Sequence, residues 1–130
     1  MFPERLLADI PWSFNESTFE SLDEFVKSVS EYHVALDLSG DWKADDIAVK
    51  AQKLNVITEE VYDENEEEVD LSFDIVSDGD AFTNGELLFK LHNLYAEKIA
   101  AGYEFGDHCF FEGLSFADGS ECQYNCYLGS

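Results

Sequence analysis

The side chains best placed to do chemistry together are carboxylates along one stretch of the chain. Between residues 69 and 75 apolar and polar side chains alternate, and the polar residues that share one parity in and before this stretch are Glu66, Glu68, Asp70, Ser72 and Asp74. Successive side chains of a strand point to opposite faces. The alternation therefore predicts a half-buried strand over residues 69–75, with this polar set on the face that points away from the core.

No cation compensates these acids within the same stretch. No Lys or Arg occurs between Lys53 and Lys90. Like charges opposite one another destabilise a sheet, so a face that is merely solvated usually mixes both signs. We therefore predict a docking surface, with a solvated face as the alternative. The predicted contact residues are Glu59, Glu60, Asp63, Glu64, Glu66, Glu68, Asp70 and Asp74.

The overall charge indicates the kind of partner. The 130 residues include 29 acidic and 7 basic side chains, for a formal net charge of −22. Binding nucleic acid by neutralising phosphates needs Lys and Arg, so that class is excluded, and anionic membranes are disfavoured as partners. A negative field speeds encounter with a positive surface, which favours a basic protein as partner. The alternatives are a DNA mimic and acidity that only maintains solubility.

Neither a metal site nor a cofactor site is predicted. An EF-hand loop starting at Asp63 would need Gly where Glu68 stands and Glu where Asp74 stands. A candidate zinc set consists of His108, Cys109, Cys122 and Cys126. On an extended strand, however, Cys122 and Cys126 would lie about 13 Å apart, which is too far for both to bind one ion. Three cysteines are an odd count, which favours reduced thiols over a secreted disulfide framework.

Catalysis is not predicted either. Nucleophilic catalysis needs a nucleophile beside an oriented base, and the sequence has only three histidines, His33, His92 and His108. His92 falls between core leucines of a predicted helix, where a structural role is expected. A small enzyme remains an alternative, with His92 and His108 as its first candidate groups.

Two capping boxes and several turn signals indicate where the helices and strands lie. Ser17 to Glu20 predicts the start of a helix over residues 17–31, and Thr83 to Glu86 predicts a second helix that ends at Gly102. Strands are predicted at 33–38, at 46–62 with a bulge or break near Lys53, and at 69–75. The Asp118-Gly119 pair predicts a hairpin of two aromatic-rich strands.

Together these elements predict an α+β fold in one domain over residues 1–130. About five antiparallel strands carry two packed helices, in the order α-β-β-β-α-β-β. The chain is 45% hydrophobic, so a packed core is expected rather than disorder. Neither a signal peptide nor a membrane span is visible, so a cytoplasmic location is expected.

The C-terminal third carries more aromatic residues than one face of a hairpin can bury. They are Tyr103, Phe105, Phe110, Phe111, Phe116, Tyr124 and Tyr127. Part of this set either forms an exposed anchor patch for a partner or packs beneath other elements.

The runs Phe110-Phe111-Glu112-Gly113-Leu114 and Tyr127-Leu128-Gly129-Ser130 end a small acidic chain. In these motifs, its size and its charge the sequence resembles the α+β immunity proteins of bacterial polymorphic or contact-dependent growth inhibition toxin systems. This resemblance implies tight binding to one cognate toxin domain, often a basic nuclease, by occluding its active site or blocking its movement. It implies no catalytic residues, because such proteins inhibit by binding.

Overall fold

The computed structural model describes residues 3–8, 10–38, 42–105, 110–117 and 122–129, and these form two helices and eight strands. The helices are α1 (Leu22–Ala35) and α2 (Asn84–Ala100). The strands are β1 (Arg5–Leu6), β2 (Trp12–Ser13), β3 (Ile47–Val49), β4 (Lys53–Tyr62), β5 (Glu68–Val76), β6 (Phe82–Thr83), β7 (Phe110–Phe116) and β8 (Gln123–Gly129).

Six of these strands form one sheet in the order β1-β7-β8-β4-β5, with β2 also paired to β7. The pair β4–β8 is parallel and the other pairs are antiparallel, while β3 and β6 form a separate two-stranded sheet. The α+β class is confirmed. The predicted antiparallel sheet is confirmed for every pair except β4–β8, but the number of strands and their order along the chain differ from the predicted five strands in the order α-β-β-β-α-β-β.

Much of the core lies between this sheet and α2, and Phe25 and Val29 of α1 extend it. Leu54 and Val56 of β4 and Phe73 and Ile75 of β5 are buried. Tyr95 of α2 packs edge-on against Phe73, with ring centroids 5.3 Å apart. Because side chains alternate along a strand, the other face of β4 and β5 points away from α2.

The first helix begins later than its capping box predicts. Ser21 is the N-cap of α1, and its hydroxyl accepts a hydrogen bond from the Glu24 N–H at 3.2 Å. Phe19 precedes the helix because the Asn93 side amide of α2 binds both the Phe19 N–H and its carbonyl, at 2.9 and 3.0 Å. A tertiary contact therefore holds residues 17–19 outside the helix.

The strand predicted at 33–38 is wrong. His33 lies in the last turn of α1, and Asp37 turns the chain with a φ of +62°. The helix continues to Ala35 because the buried His33 ring reaches the Pro11 carbonyl at 2.9 Å, which fixes this turn against the segment before α1.

The second helix agrees with its predicted signals. Thr83 caps α2 by accepting from the Glu86 N–H at 3.0 Å. Gly102 follows the helix with a φ of +103°, and its N–H donates to the Ile99 carbonyl at 3.1 Å. This is the left-handed residue that ends a helix with minimal strain when it is Gly.

The remaining predictions are confirmed in part. Residues 46–62 contain two strands, β3 and β4, separated before Lys53, and β4 has a bulge between Thr58 and Val61. β7 and β8 pair as a hairpin. The predicted Asp118-Gly119 turn, like His108 and Cys109, lies outside the described residues. The short strands β1, β2 and β6 were not predicted.

Replacing Gly113 by Ala is expected to lower the free energy of unfolding by about 2 kcal/mol. Gly113 follows a bulge in β7 with a φ of +113°, and an added Cβ would lie 3.1 Å from the Ala8 Cα. Denaturant unfolding measures the loss. Gly79→Ala is the matched control, because a Cβ there meets nothing within 4 Å. Equal losses in the two variants would contradict this role of Gly113.

Candidate protein-binding surface

The predicted alternation along β5 is present in the structure. Leu71, Phe73 and Ile75 are buried, whereas Glu68, Asp70 and Asp74 are exposed on the opposite side of the strand. We call the exposed carboxylates Glu59, Glu68, Asp70 and Asp74 of β4 and β5 the acidic face.

The register between β4 and β5 brings Glu59 beside Asp70. Thr58 pairs with Leu71 and Val61 pairs with Val69, so the bulge at 59–60 sets two residues of β4 opposite Asp70. Such a bulge lies opposite one residue of the partner strand and increases the local twist. Glu59 therefore lies across the ladder from Asp70.

Positive side chains neutralise little of the charge on the acidic face. Lys53 Nζ lies 3.9 Å from Asp74 Oδ2, but both side chains are about two-thirds exposed, at 64% and 61%. An exposed pair of this kind contributes about 0–1 kcal/mol. Among the described residues, no ion pair reaches Glu59, Glu68 or Asp70. The face therefore stays strongly negative.

A polar ladder crosses the same side of the sheet. The Asn55 side amide donates to Ser72 Oγ at 2.8 Å and to Asp74 Oδ1 at 3.1 Å. Gln123 of β8 donates to Asn55 Oδ1 at 2.8 Å. Sequence reasoning missed Asn55, because its role follows from the order β8-β4-β5. The ladder therefore holds the Asp74 side chain in place through its hydrogen bond with Asn55.

The predicted contact residues of the turn play different roles. Asp63 Oδ1 accepts from the N–H groups of Asn65 and Glu67, at 2.8 and 3.0 Å, so this carboxylate holds the turn. Glu66 has a φ of +63° and precedes β5, so the prediction that it shares the strand's parity is wrong. Glu64 is exposed and packs beside Gly102, while the Glu60 side chain lies outside the described residues.

Replacing Asp70 by Lys is expected to raise the free energy of unfolding by about 0.5 kcal/mol at low salt. The change converts a like-charge opposition with Glu59 into an attractive pair, and high salt should remove the gain. Urea unfolding at the two salt concentrations measures it. Glu20→Lys makes the same change in net charge at an exposed position before α1. An equal gain in that control would show that only the overall charge matters.

A cleft of about 360 Å³ opens where β4 and β8 diverge, lined by Thr58, Glu59, Phe105, Asn125, Cys126 and Tyr127 among others. Beneath it, Thr58 Oγ1 and Tyr95 Oη are hydrogen-bonded. Burial raises the pKa of the Cys126 thiol to about 12 and raises that of Tyr95 well above its usual value. Both groups therefore stay protonated near neutral pH, and Cys126 is a poor nucleophile there.

His92 has the structural role that its position predicts. Its Nδ1 accepts from Trp12 Nε1 at 3.0 Å, and its Nε2 donates to the Ser17 carbonyl at 2.7 Å. The ring is fully buried, and burial lowers the pKa of His92 below its ordinary value. With both nitrogens occupied in the neutral form, this ring is not free for proton transfer.

Most of the described C-terminal aromatics belong to the core or its margin. Phe105, Phe111 and Tyr124 are buried, while Tyr127 is half exposed, at 50%. Tyr124 Oη donates to the Pro3 carbonyl at 2.6 Å. Of the two explanations left open by the sequence, packing accounts for these three residues, and Tyr127 alone stands out at the mouth of the cleft.

Within the described ranges, no group of three or more His, Cys, Asp or Glu side chains is placed to hold a metal ion. Across the same residues, neither helix combines the length and apolar character needed to cross a membrane.

Comparison with known proteins assigns no relative to the chain. No family model matches it, and neither a curated protein nor a solved structure is significantly similar to it.

Proposed function

We propose that this chain is a binding protein that neutralises a basic protein partner, in the manner of an immunity protein that blocks a bacterial toxin domain. The observation that carries the proposal is the acidic face. Its carboxylates are exposed on one side of the sheet, and Lys53 is the one cation paired with them among the described residues. Self-repulsion on such a face is relieved when a positive surface covers it.

A basic partner would be attracted and held by different features. The net charge of −22 acts at long range and speeds the encounter. Short-range hydrogen bonds between carboxylates such as Glu68 or Asp70 and partner Arg side chains would slow dissociation. A nuclease presents Lys and Arg around its phosphate-binding cleft, so it is the class of toxin that fits best.

The spacing of the acids favours a protein cleft over mimicry of DNA. A mimic needs charges at regular intervals in place of phosphates, but the row along β5 is interrupted at Ser72 and joined to Lys53 at Asp74. Competition distinguishes the two: a DNA mimic would displace DNA from several unrelated DNA-binding proteins, whereas a cognate inhibitor would act on one.

Affinity capture from the cells that carry this chain tests the proposal. The wild-type chain is expected to retain one basic protein that elutes at high salt, and that protein should be toxic when produced without the chain. The bait with Glu68, Asp70 and Asp74 replaced by Ser should retain much less of it. Capture of an acidic protein, or equal capture by the two baits, would contradict the proposal.

A further inference from the structure

The outer edge of β5 is open along most of the strand. β5 is the last strand of the sheet, and no strand among the described residues pairs with its outer side. An open edge presents unpaired N–H and C=O groups and is a ready template for another strand. This edge lies next to the acidic face.

The pattern of hydrogen bonds between β4 and β5 shows which residues of β5 direct their backbone N–H and C=O groups toward the open edge. Opposed residues of an antiparallel pair alternate between bonded and non-bonded. The Ser77 N–H donates to the Gln52 carbonyl at 2.8 Å, so this pair is bonded. Every second residue of β5, counted back from Ser77, therefore directs its backbone groups toward β4. The register therefore directs the backbone groups of Asp70, Ser72 and Asp74 outward.

Two other contacts agree with this pattern. The Asn55 N–H, on the partner position of Asp74, donates away from β5 to the Cys122 carbonyl at 3.0 Å. Lys90 Nζ of α2 donates to the Val76 carbonyl at 2.6 Å, from outside the ladder. The outward groups are thus capped at Val76 and open from Glu68 to Asp74.

A groove of about 240 Å³ runs beside this edge, between β5 and α2, and its lining combines four apolar residues with Asp74, Lys90, Asn93 and Glu97. Ile75 and Val76 line one side of it, and Phe89 and Leu94 of α2 line the other. Phe89 and Leu94 are only partly buried. A strand added to β5 would place alternate side chains over this groove and the rest beside the acidic face.

We propose that the edge of β5 binds a strand of the partner by β-sheet extension. The strand would carry apolar side chains toward α2 and Lys or Arg side chains opposite Glu68, Asp70 and Asp74. This inference rests on the proposed function and adds its mode of binding. Backbone hydrogen bonds would supply affinity, and the alternation of charged and apolar side chains would supply specificity.

Charge argues against a second copy of this chain as the occupant. Antiparallel pairing of two β5 edges about Ser72 would set Asp70 of one copy opposite Asp74 of the other. Like charges directly opposite are destabilising, and each copy carries a net charge of −22. The same carboxylates that block self-pairing attract a basic strand.

A synthetic peptide, acetyl-Val-Lys-Val-Arg-Val-Lys-Val-amide, serves as the probe. On binding, the backbone amides of Asp70, Ser72 and Asp74 should become protected from hydrogen exchange. In an antiparallel complex the peptide amides that face β5 belong to the residues on the acidic-face side, which are the basic ones. N-methylation of the basic residues should weaken binding at least 10-fold, whereas N-methylation of the valines should not; a parallel complex would reverse this difference.

Ser72→Pro supplies the matching change in the protein. It removes the outward Ser72 N–H without removing a ladder bond to β4, and edge strands tolerate Pro. Ser72→Ala is the control, because it loses the same side-chain bond to Asn55 but keeps the N–H. Peptide binding should fall in the Pro variant alone. If that variant unfolds, the methylated peptides still decide the question.

The outcomes separate this inference from the proposed function. Equal, salt-sensitive binding of all three peptides, without protection of the β5 amides, would overturn sheet extension but leave charge-driven binding intact. No binding of any peptide would also overturn it, while capture of a basic partner through the acidic face would still support the proposed function. Concentration-dependent dimers joined through β5 would overturn it in favour of a second copy.

Discussion

Replacing Glu68, Asp70 and Asp74 together by Ser is expected to slow association with the captured basic partner by about 10-fold or more at low salt. These carboxylates are exposed on one face of β5, with the apolar side chains of the strand already buried on the other. Stopped-flow association over a range of salt concentrations measures the effect. The salt dependence should become shallower, because fewer charges contribute to the long-range attraction.

The control for this variant removes the same charge elsewhere. Glu16, Glu20 and Glu31 are exposed, and lie before or within α1. Their replacement by Ser leaves an equal net charge, so its association rate should stay close to that of the wild type. Equal slowing in both variants would show that net charge alone steers the encounter and that β5 is not the contact surface.

Replacing His92 by Leu is expected to lower the free energy of unfolding by about 2–4 kcal/mol. Leu fills much of the space but leaves the buried Trp12 Nε1–H and the Ser17 carbonyl without their partner. Denaturant unfolding measures the loss. His92→Gln, which keeps a donor and an acceptor, should lose less. An equal loss in both variants would contradict the importance of these two hydrogen bonds.

The wild type should also show a pH dependence that the Leu variant lacks. Burial lowers the folded-state pKa of His92 below its ordinary value of 6.5. The neutral ring therefore contributes its full stability above pH 6.5, and this contribution falls as the pH drops from 6.5 through the folded-state pKa. A proton on Nδ1 would also face the Trp12 N–H. The stability difference between wild type and His92→Leu should shrink over this window.

Local patterns were sufficient to predict β5 and α2. One face of β5 is buried and the other is solvated, so the residue types from Glu68 to Val76 alternate in the same way as their burial. The ends of α2 depend on adjacent residues, the Thr83 cap and Gly102, so they too are local. Signals of this kind need no knowledge of the rest of the fold.

The start of α1 depends on a contact that the local sequence does not contain. Ser17 and Ser21 both begin a Ser-x-x-Glu pattern. The second forms the cap because Asn93, on α2, binds the backbone of Phe19 and keeps the earlier segment outside the helix. The choice between two capping boxes of equal local quality therefore depends on Asn93, which lies 74 positions from Phe19 in the sequence.

The sequence was sufficient to predict that the candidate surface is acidic, but not how its residues are arranged. The alternation identified Glu68, Asp70 and Asp74, but Asp63 proved to hold the turn and Glu66 to lie outside the strand. The open edge of β5 follows from the parallel pairing of β4 with β8, which places β5 last. Strand order is a long-range property, so no local periodicity indicates it.

Growth of cells that produce the captured partner tests neutralisation most directly. We expect the partner alone to stop growth, the wild-type chain to restore it, and the Ser variant of Glu68, Asp70 and Asp74 to restore it poorly at equal protein levels. The Glu16, Glu20 and Glu31 control should protect like the wild type. A harmless partner, or full protection by the β5 variant, would contradict neutralisation through the acidic face.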